Sequence, residues 1–123
     1  MTLNHINLPV RDVPAARSFF EAYFNFTPAD SKPNDTLAVM NGKDDFVLVL
    51  MNQRLNENGN HGYPDAFHIG FFLSAETEVQ ALYNRLIQDG HTLEQQPQRI
   101  RRTFGFYFKY EAFMIEIACP VAN

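Results

Sequence analysis

Apolar residues recur at every second position in two stretches that open alike, Asn4-His5-Ile6-Asn7-Leu8-Pro9-Val10 and Phe67-His68-Ile69-Gly70-Phe71-Phe72-Leu73. A period of two is that of a strand with two unlike faces. In the first stretch Leu3, His5, Asn7 and Pro9 share one face and Ile6, Leu8 and Val10 the other, so His5 points away from the apolar side. Each stretch runs into a segment with apolar residues at three-and-four spacing, which predicts a helix with one buried stripe. The stripes are Val13, Ala16, Phe19, Phe20 and Tyr23 in the first, and Val79, Leu82, Tyr83, Leu86 and Ile87 in the second. Sliding His5 onto His68 superposes the two without a gap, with Ile6 on Ile69, Leu8 on Phe71, Ala16 on Val79, Phe19 on Leu82 and Tyr23 on Leu86. A repeat of this length marks two copies of one supersecondary unit.

Local signals set the element ends. Asp12 is a candidate N-cap with Pro14 in the first turn, and Ser74 is the candidate cap of the second helix, with Glu76 and Glu78 near its N-terminus. Gly90 ends the second helix in the manner of a left-handed residue. In the first half, strands are predicted over Phe26 to Ala29, Thr36 to Met40 and Phe46 to Met51, with a turn at Asn41-Gly42-Lys43-Asp44. In the second half they are predicted over Thr92 to Gln96, Thr103 to Lys109 and Phe113 to Cys119, with a tight turn near Tyr110-Glu111-Ala112. Both halves therefore read β, α, β, β, β. The expectation is one α+β domain of tandem βαβββ repeats whose mixed sheet curves around a cup. Module 1 covers about residues 1–51, a polar Gly/Asn-containing linker 52–65, and module 2 about 66–119.

Composition narrows the function classes. The 123 residues are 46% hydrophobic and 20% charged, the balance of a globular domain. A net charge of -4, with no basic cluster longer than Arg99-Ile100-Arg101-Arg102, argues against nucleic acid as a partner. No apolar run reaches the roughly 20 residues that span a bilayer. The N-terminus lacks a signal-peptide layout, so the expected location is cytoplasmic. Cys119 is the only cysteine, which excludes an intramolecular disulfide. Twelve phenylalanines and no tryptophan predict Phe-rich core and pocket walls. The arginines ahead of the Thr103 strand read first as a solvated edge, and second as a holder of a substrate carboxylate or phosphate, with Arg101 or Arg102 in that role.

The chemistry gathers on three residues. In the last strand Phe113, Ile115 and Ile117 share an apolar face and Met114, Glu116 and Ala118 the other. A carboxylate in mid-strand must be exposed, paired or bound to a metal, because unpaired burial costs several kcal/mol. Aligning the ends of the halves puts Phe46 on Phe113 and Val49 on Glu116, so the first copy has an apolar residue where the second has its acid. If helices cover the apolar faces, His5, His68 and Glu116 point into the shared cup. Two imidazoles and one carboxylate on three strands suit Fe, Mn, Zn or Ni as divalent ions and leave positions open for substrate.

These residues resemble the vicinal oxygen chelate superfamily, which includes glyoxalase I, extradiol dioxygenases, fosfomycin-resistance transferases and bleomycin-resistance proteins. The resemblance rests on the tandem repeat, the opening His5-Ile6-Asn7-Leu8-Pro9-Val10-Arg11-Asp12, the histidine at the start of each unit and the glutamate in the final strand. It implies a divalent metal held by His5, His68 and Glu116, a small substrate with vicinal oxygens, and a homodimer. The family's fourth metal position falls on Val49, which argues against glyoxalase I chemistry, where an acid there moves the substrate proton. Tyr107, in Gly105-Phe106-Tyr107-Phe108, resembles a tyrosine that fosfomycin transferases place near the metal, although its spacing to Glu116 is one residue shorter. The reading is therefore a metal-dependent glyoxalase- or dioxygenase-like enzyme, with Tyr107 and Arg101 as candidate catalytic residues. Its rival is a metal-free, bleomycin-resistance-like protein that sequesters a flat compound between Phe-lined walls.

Overall fold

The computed structural model describes residues 1–121. The chain divides into two compact units, Met1–His61 and a second that begins at Gly62. Each is an α+β layer in which one helix covers one face of a four-stranded mixed sheet.

The first unit runs β1 (His5–Val10), α1 (Val13–Phe24), β2 (Thr27–Pro28), β3 (Leu37–Asn41) and β4 (Val47–Asn52), with 3-10 turns at Lys43–Asp45 and Gln53–Leu55. Its sheet order is β1-β4-β3-β2, with β1 parallel to β4 and the other pairs antiparallel. The helix forms where the stripe predicts it. Asp12 caps it by accepting from the Ala15 N–H at 3.0 Å, Pro14 lies in its first turn, and Asn25 closes it in the left-handed conformation. Val13, Ala16, Phe19 and Phe20 are buried where the helix packs on β3 and β4, whose Ala38, Met40, Leu48 and Leu50 are buried too, as are Leu8 and Val10 of β1. Phe20 also meets the Phe26 ring edge-on, with centroids 6.0 Å apart. At the end of β4 the buried Asn52 side chain donates to the Asp35 carbonyl and accepts from the Arg54 N–H, both at 3.0 Å, so burial leaves neither end of its amide without a partner.

The second unit repeats the plan with β5 (His68–Phe72), α2 (Glu76–Gln88), β6 (Gln98–Ile100), β7 (Thr103–Tyr110) and β8 (Phe113–Pro120), in the order β5-β8-β7-β6. Here Val79 and Leu86 are fully buried, Tyr83 packs edge-on against Phe106 at 5.3 Å, and Phe108, Ile115, Ile117 and Cys119 complete the core. The equivalence of the halves holds at the level of single pairs. Asn7 stands beside Val49 in the first unit as Gly70 stands beside Glu116 in the second.

Three local expectations are corrected. Ser74 does not cap α2: the N-cap is Ala75, without a side-chain bond, and the Ser74 hydroxyl instead hydrogen-bonds the Glu78 carboxylate. Ile87 is 43% exposed, because a helix turns about 100° per residue and eight residues from Val79 it has drifted roughly 80° out of the stripe. Thr92 to Gln96 is not a strand, and the edge strand is Gln98–Ile100. Its register follows from the two-residue turn at Arg101-Arg102, with Arg101 left-handed at φ 57, which sets Ile100 opposite Thr103 and Gln98 opposite Gly105. Pro97, which has no N–H to donate, ends the pairing. The arginine-bearing strand is an exposed sheet edge, as the solvated-edge reading expects. None of the described helices is long and apolar enough to cross a membrane.

The contrast between the two N-caps is measurable by urea denaturation. Asp12→Ala should lose about 1 kcal/mol, Asp12→Asn should lose little, and Ala75→Ser should gain up to about 1 kcal/mol.

Candidate functional site

On the face of the second sheet opposite α2, strand register lays side chains out in rows. His68, Met114 and Lys109 form one row across β5, β8 and β7; Gly70, Glu116 and Tyr107 form the next. Directly opposed residues on paired strands share a face. His68 and Glu116 are thus neighbours on adjacent strands although they lie far apart in sequence.

The geometry around His68 fixes its chemistry. Its Nδ1 lies 3.0 Å from the Ala66 carbonyl oxygen, which can only accept, so Nδ1 carries the proton and Nε2 presents a lone pair in the neutral ring. Nε2 faces the Glu116 Oε1 at 3.6 Å, too long for a hydrogen bond. Metal bonds of roughly 2.0–2.2 Å place neighbouring ligands about 3–3.5 Å apart, so the pair is close to the spacing that one ion spans. A backbone carbonyl holding the far nitrogen is also the usual support of a ligating histidine.

Tyr107 completes the cluster. Its ring stands edge-on to the His68 ring with centroids 5.4 Å apart. Burial, the charge of Glu116 and a hydrogen bond with that carboxylate push the Tyr107 phenol above its ordinary value. The phenol is therefore a neutral donor at physiological pH, holding one oxygen of Glu116. On the other flank Gly70 leaves the carboxylate uncovered: a Cβ there would stand 3.5 Å from Oε1. Beyond it lies a hollow of about 40 Å³ lined by Gln98, Thr103, Gly105, Tyr107, Glu116 and Ala118, with room for a water-sized group.

His5 opens β1 in the first unit, exposed, with Nδ1 3.1 Å from the Asn4 amide oxygen. Its row neighbour is Val47, and the next row carries Asn7, Val49 and Val39. The slots of Glu116 and Tyr107 are thus filled by two valines. Arg101 sits exposed in the β6–β7 turn, four strand residues or roughly 13 Å along β7 from the Tyr107 position. Among the described residues no group of three or more His, Cys, Asp and Glu side chains is gathered closely enough to hold a metal. The second unit supplies a two-donor pair with the right chemistry, and His5 is a third donor of the same kind. Gly70, Lys109 and Gln98 were not singled out by sequence. Register sets Gly70 opposite Glu116, Lys109 in the His68 row and Gln98 in the Gly105–Ala118 row on the rim of the hollow, and period-two spacing within one strand gives no signal for it.

Comparison with known proteins identifies the fold and the family. The family model of the Glyoxalase/Bleomycin resistance protein/Dioxygenase superfamily matches residues 2–118, so the chain belongs to that superfamily. A solved structure described as a possible glyoxalase from Bacillus cereus is 35% identical, with 97% of this chain and 99% of that one covered and a TM-score of 0.80. A family enzyme from Burkholderia phytofirmans PsJN superposes at a TM-score of 0.82 with 16% identity, covering 98% and 100% of the two chains. A lactoylglutathione lyase from Agrobacterium tumefaciens gives 0.73 with 18% identity, covering 96% and 92%. These last two likenesses establish the fold alone. No curated protein matches the chain.

The Tyr107–Glu116 contact has a spectroscopic consequence. Burial raises the phenol most and the Glu116 charge adds to it, so in Glu116→Gln the Tyr107 titration followed by NMR should move down while staying above its ordinary value, and that of Tyr63, raised mainly by burial, should stay near 12.

Proposed function

We propose that this chain is a divalent-metal-dependent enzyme of the glyoxalase and dioxygenase kind, acting on a small substrate with two neighbouring oxygens. The observation that supports the reading most is the His68–Glu116 pair. An imidazole whose outer nitrogen is tied to a carbonyl turns its lone pair on a carboxylate at 3.6 Å, with a neutral phenol on the carboxylate's other side. His68 and Glu116 would hold the ion, and His5 would complete the set from the first unit of the same chain or of a second copy in a homodimer. Bound there, Fe, Mn, Zn or Ni would supply Lewis acidity to the substrate oxygens.

The chain's own residues do the rest. The Ala66 carbonyl keeps the His68 proton on Nδ1 and so keeps Nε2 a ligand. Tyr107 orients Glu116 and carries a proton on its phenol oxygen, within reach of a substrate oxygen bound beside it. The small residues Gly70, Gly105 and Ala118 leave space for that substrate on the sheet. Arg101, at the turn, is a cation for a substrate anion at that end of the face.

One observation favours a second reading. In the first unit the positions of Glu116 and Tyr107 are Val49 and Val39, so that face offers an apolar wall and no acid to move a proton. A metal-free protein that binds a flat small molecule would be built this way.

Metal analysis of untagged protein, followed by titration of Fe(II), Mn(II), Zn(II) and Ni(II) into the apo form, separates the two. The enzyme reading expects about one ion per chain. His5→Ala, His68→Ala and Glu116→Ala should each weaken it by more than the roughly 10- to 100-fold typical of losing an outer partner. Absence of binding by every ion, with the folded state intact, would leave the binding-protein reading.

A further inference from the structure

A second cavity in the same unit is not accounted for by the His68–Glu116 pair. It is a cleft of about 280 Å³ between the Tyr63–Phe67 segment and the β7–β8 turn, close to the lower end of the range for small-molecule sites. Its apolar lining is aromatic and already assembled. Tyr63 stacks on Phe67 at 4.7 Å with 27° between the planes, and Phe113 meets Tyr63 edge-on at 5.4 Å. The segment is tied down by the Phe67 N–H to the Pro64 carbonyl at 3.0 Å and the Met114 N–H to the Phe67 carbonyl at 3.4 Å. Glu111, left-handed at φ 56, turns the chain so that Phe113 forms the floor.

Two charges, Lys109 and Asp65, complete the lining. Neither has an ion pair or a side-chain hydrogen bond among the described residues. An ammonium without a partner beside an aromatic and thioether wall is the complement of a flat ring that bears an anion. Met114 and Lys109 belong to the His68 row as well as to the cleft, so a molecule seated there abuts the His68 face. We propose that this cleft binds a small aromatic monocarboxylate, its ring against Phe67, Tyr63 and Met114 and its carboxylate on Lys109. Asp65 opposes a second negative charge, which selects monoanions over dianions.

The proposal does not depend on metal binding and is tested on metal-free protein. The probes are phenylacetate and its neutral counterpart phenylacetamide, titrated into protein labelled with 13C at the methionine methyls. Saturable displacement of the Met114 resonance is expected, with that of Met40, fully buried in the other unit, unmoved. Because Lys109 is exposed, its charge is worth a modest factor. Lys109→Gln should weaken phenylacetate about two- to fivefold, Asp65→Asn should tighten it by a similar factor, and phenylacetamide should respond to neither. Ala112→Phe, at an exposed position on the cleft wall, should block both probes. No saturable shift at Met114, or equal responses of the two probes to the charge variants, would overturn the proposal.

Discussion

In each unit the first strand pairs in parallel with the last, and everything else at the site depends on that pairing. A parallel pair cannot be closed by a tight turn, so the chain between must cross over, and here the crossing carries a helix that covers one face of the sheet. The last strand becomes an interior strand with a neighbour on either side. Its core-facing residues, Ile115 and Ile117 in the second unit, are fully buried and stabilise by about 1.5–3 kcal/mol each. The same pairing leaves the residue between them with two flanking strands, and Glu116 is that residue.

A carboxylate in such a place needs compensation. Its side chain is 20% exposed, and the Tyr107 hydrogen bond offsets part of the desolvation. The first unit shows what the fold accepts at this position without a carboxylate. With the same pairing and helix, the position is Val49 and its cross-strand neighbour is Val39. The difference between the copies is therefore a comparison internal to the molecule. One copy keeps the apolar residue that a half-buried strand prefers, and the other departs from that preference where three polar side chains meet.

Much of this was legible in the sequence because it is local. The period-two and three-and-four spacings placed both helices and most strands, and the Asp12 cap formed as read. The duplication read from His5 on His68 and Val49 on Glu116 reappears as equivalent strand pairs. The failures share a cause. Ser74 lost its capping role to a competing bond with Glu78, and Gln98–Ile100 replaced Thr92 to Gln96 because a two-residue turn, not β-propensity, set the pairing. The neighbours of the site were hidden in the same way. Which residue stands beside Glu116 is decided by register between strands distant in sequence, so Gly70 and Lys109 carried no mark of their own.

The hollow beside Glu116 owes its volume to subtraction. Gly70 faces the carboxylate without a side chain, Ala118 contributes a single methyl, and at Gly105 an added Cβ would lie 2.1 Å from the Ile117 carbonyl oxygen. Two of these three absences have different standing. Gly105 is enforced by the backbone of the neighbouring strand, so that side of the hollow is a fixed dimension of the hairpin. Gly70 lies outside the hollow, on the β5 flank of Glu116, where an added Cβ would meet only the Glu116 side chain, Oε1 at 3.5 Å and Cβ at 3.9 Å, both at ordinary contact distance. A side chain at Gly70 would crowd the Glu116 carboxylate from one flank while the wall at Gly105 stays put, like a vice with one fixed jaw.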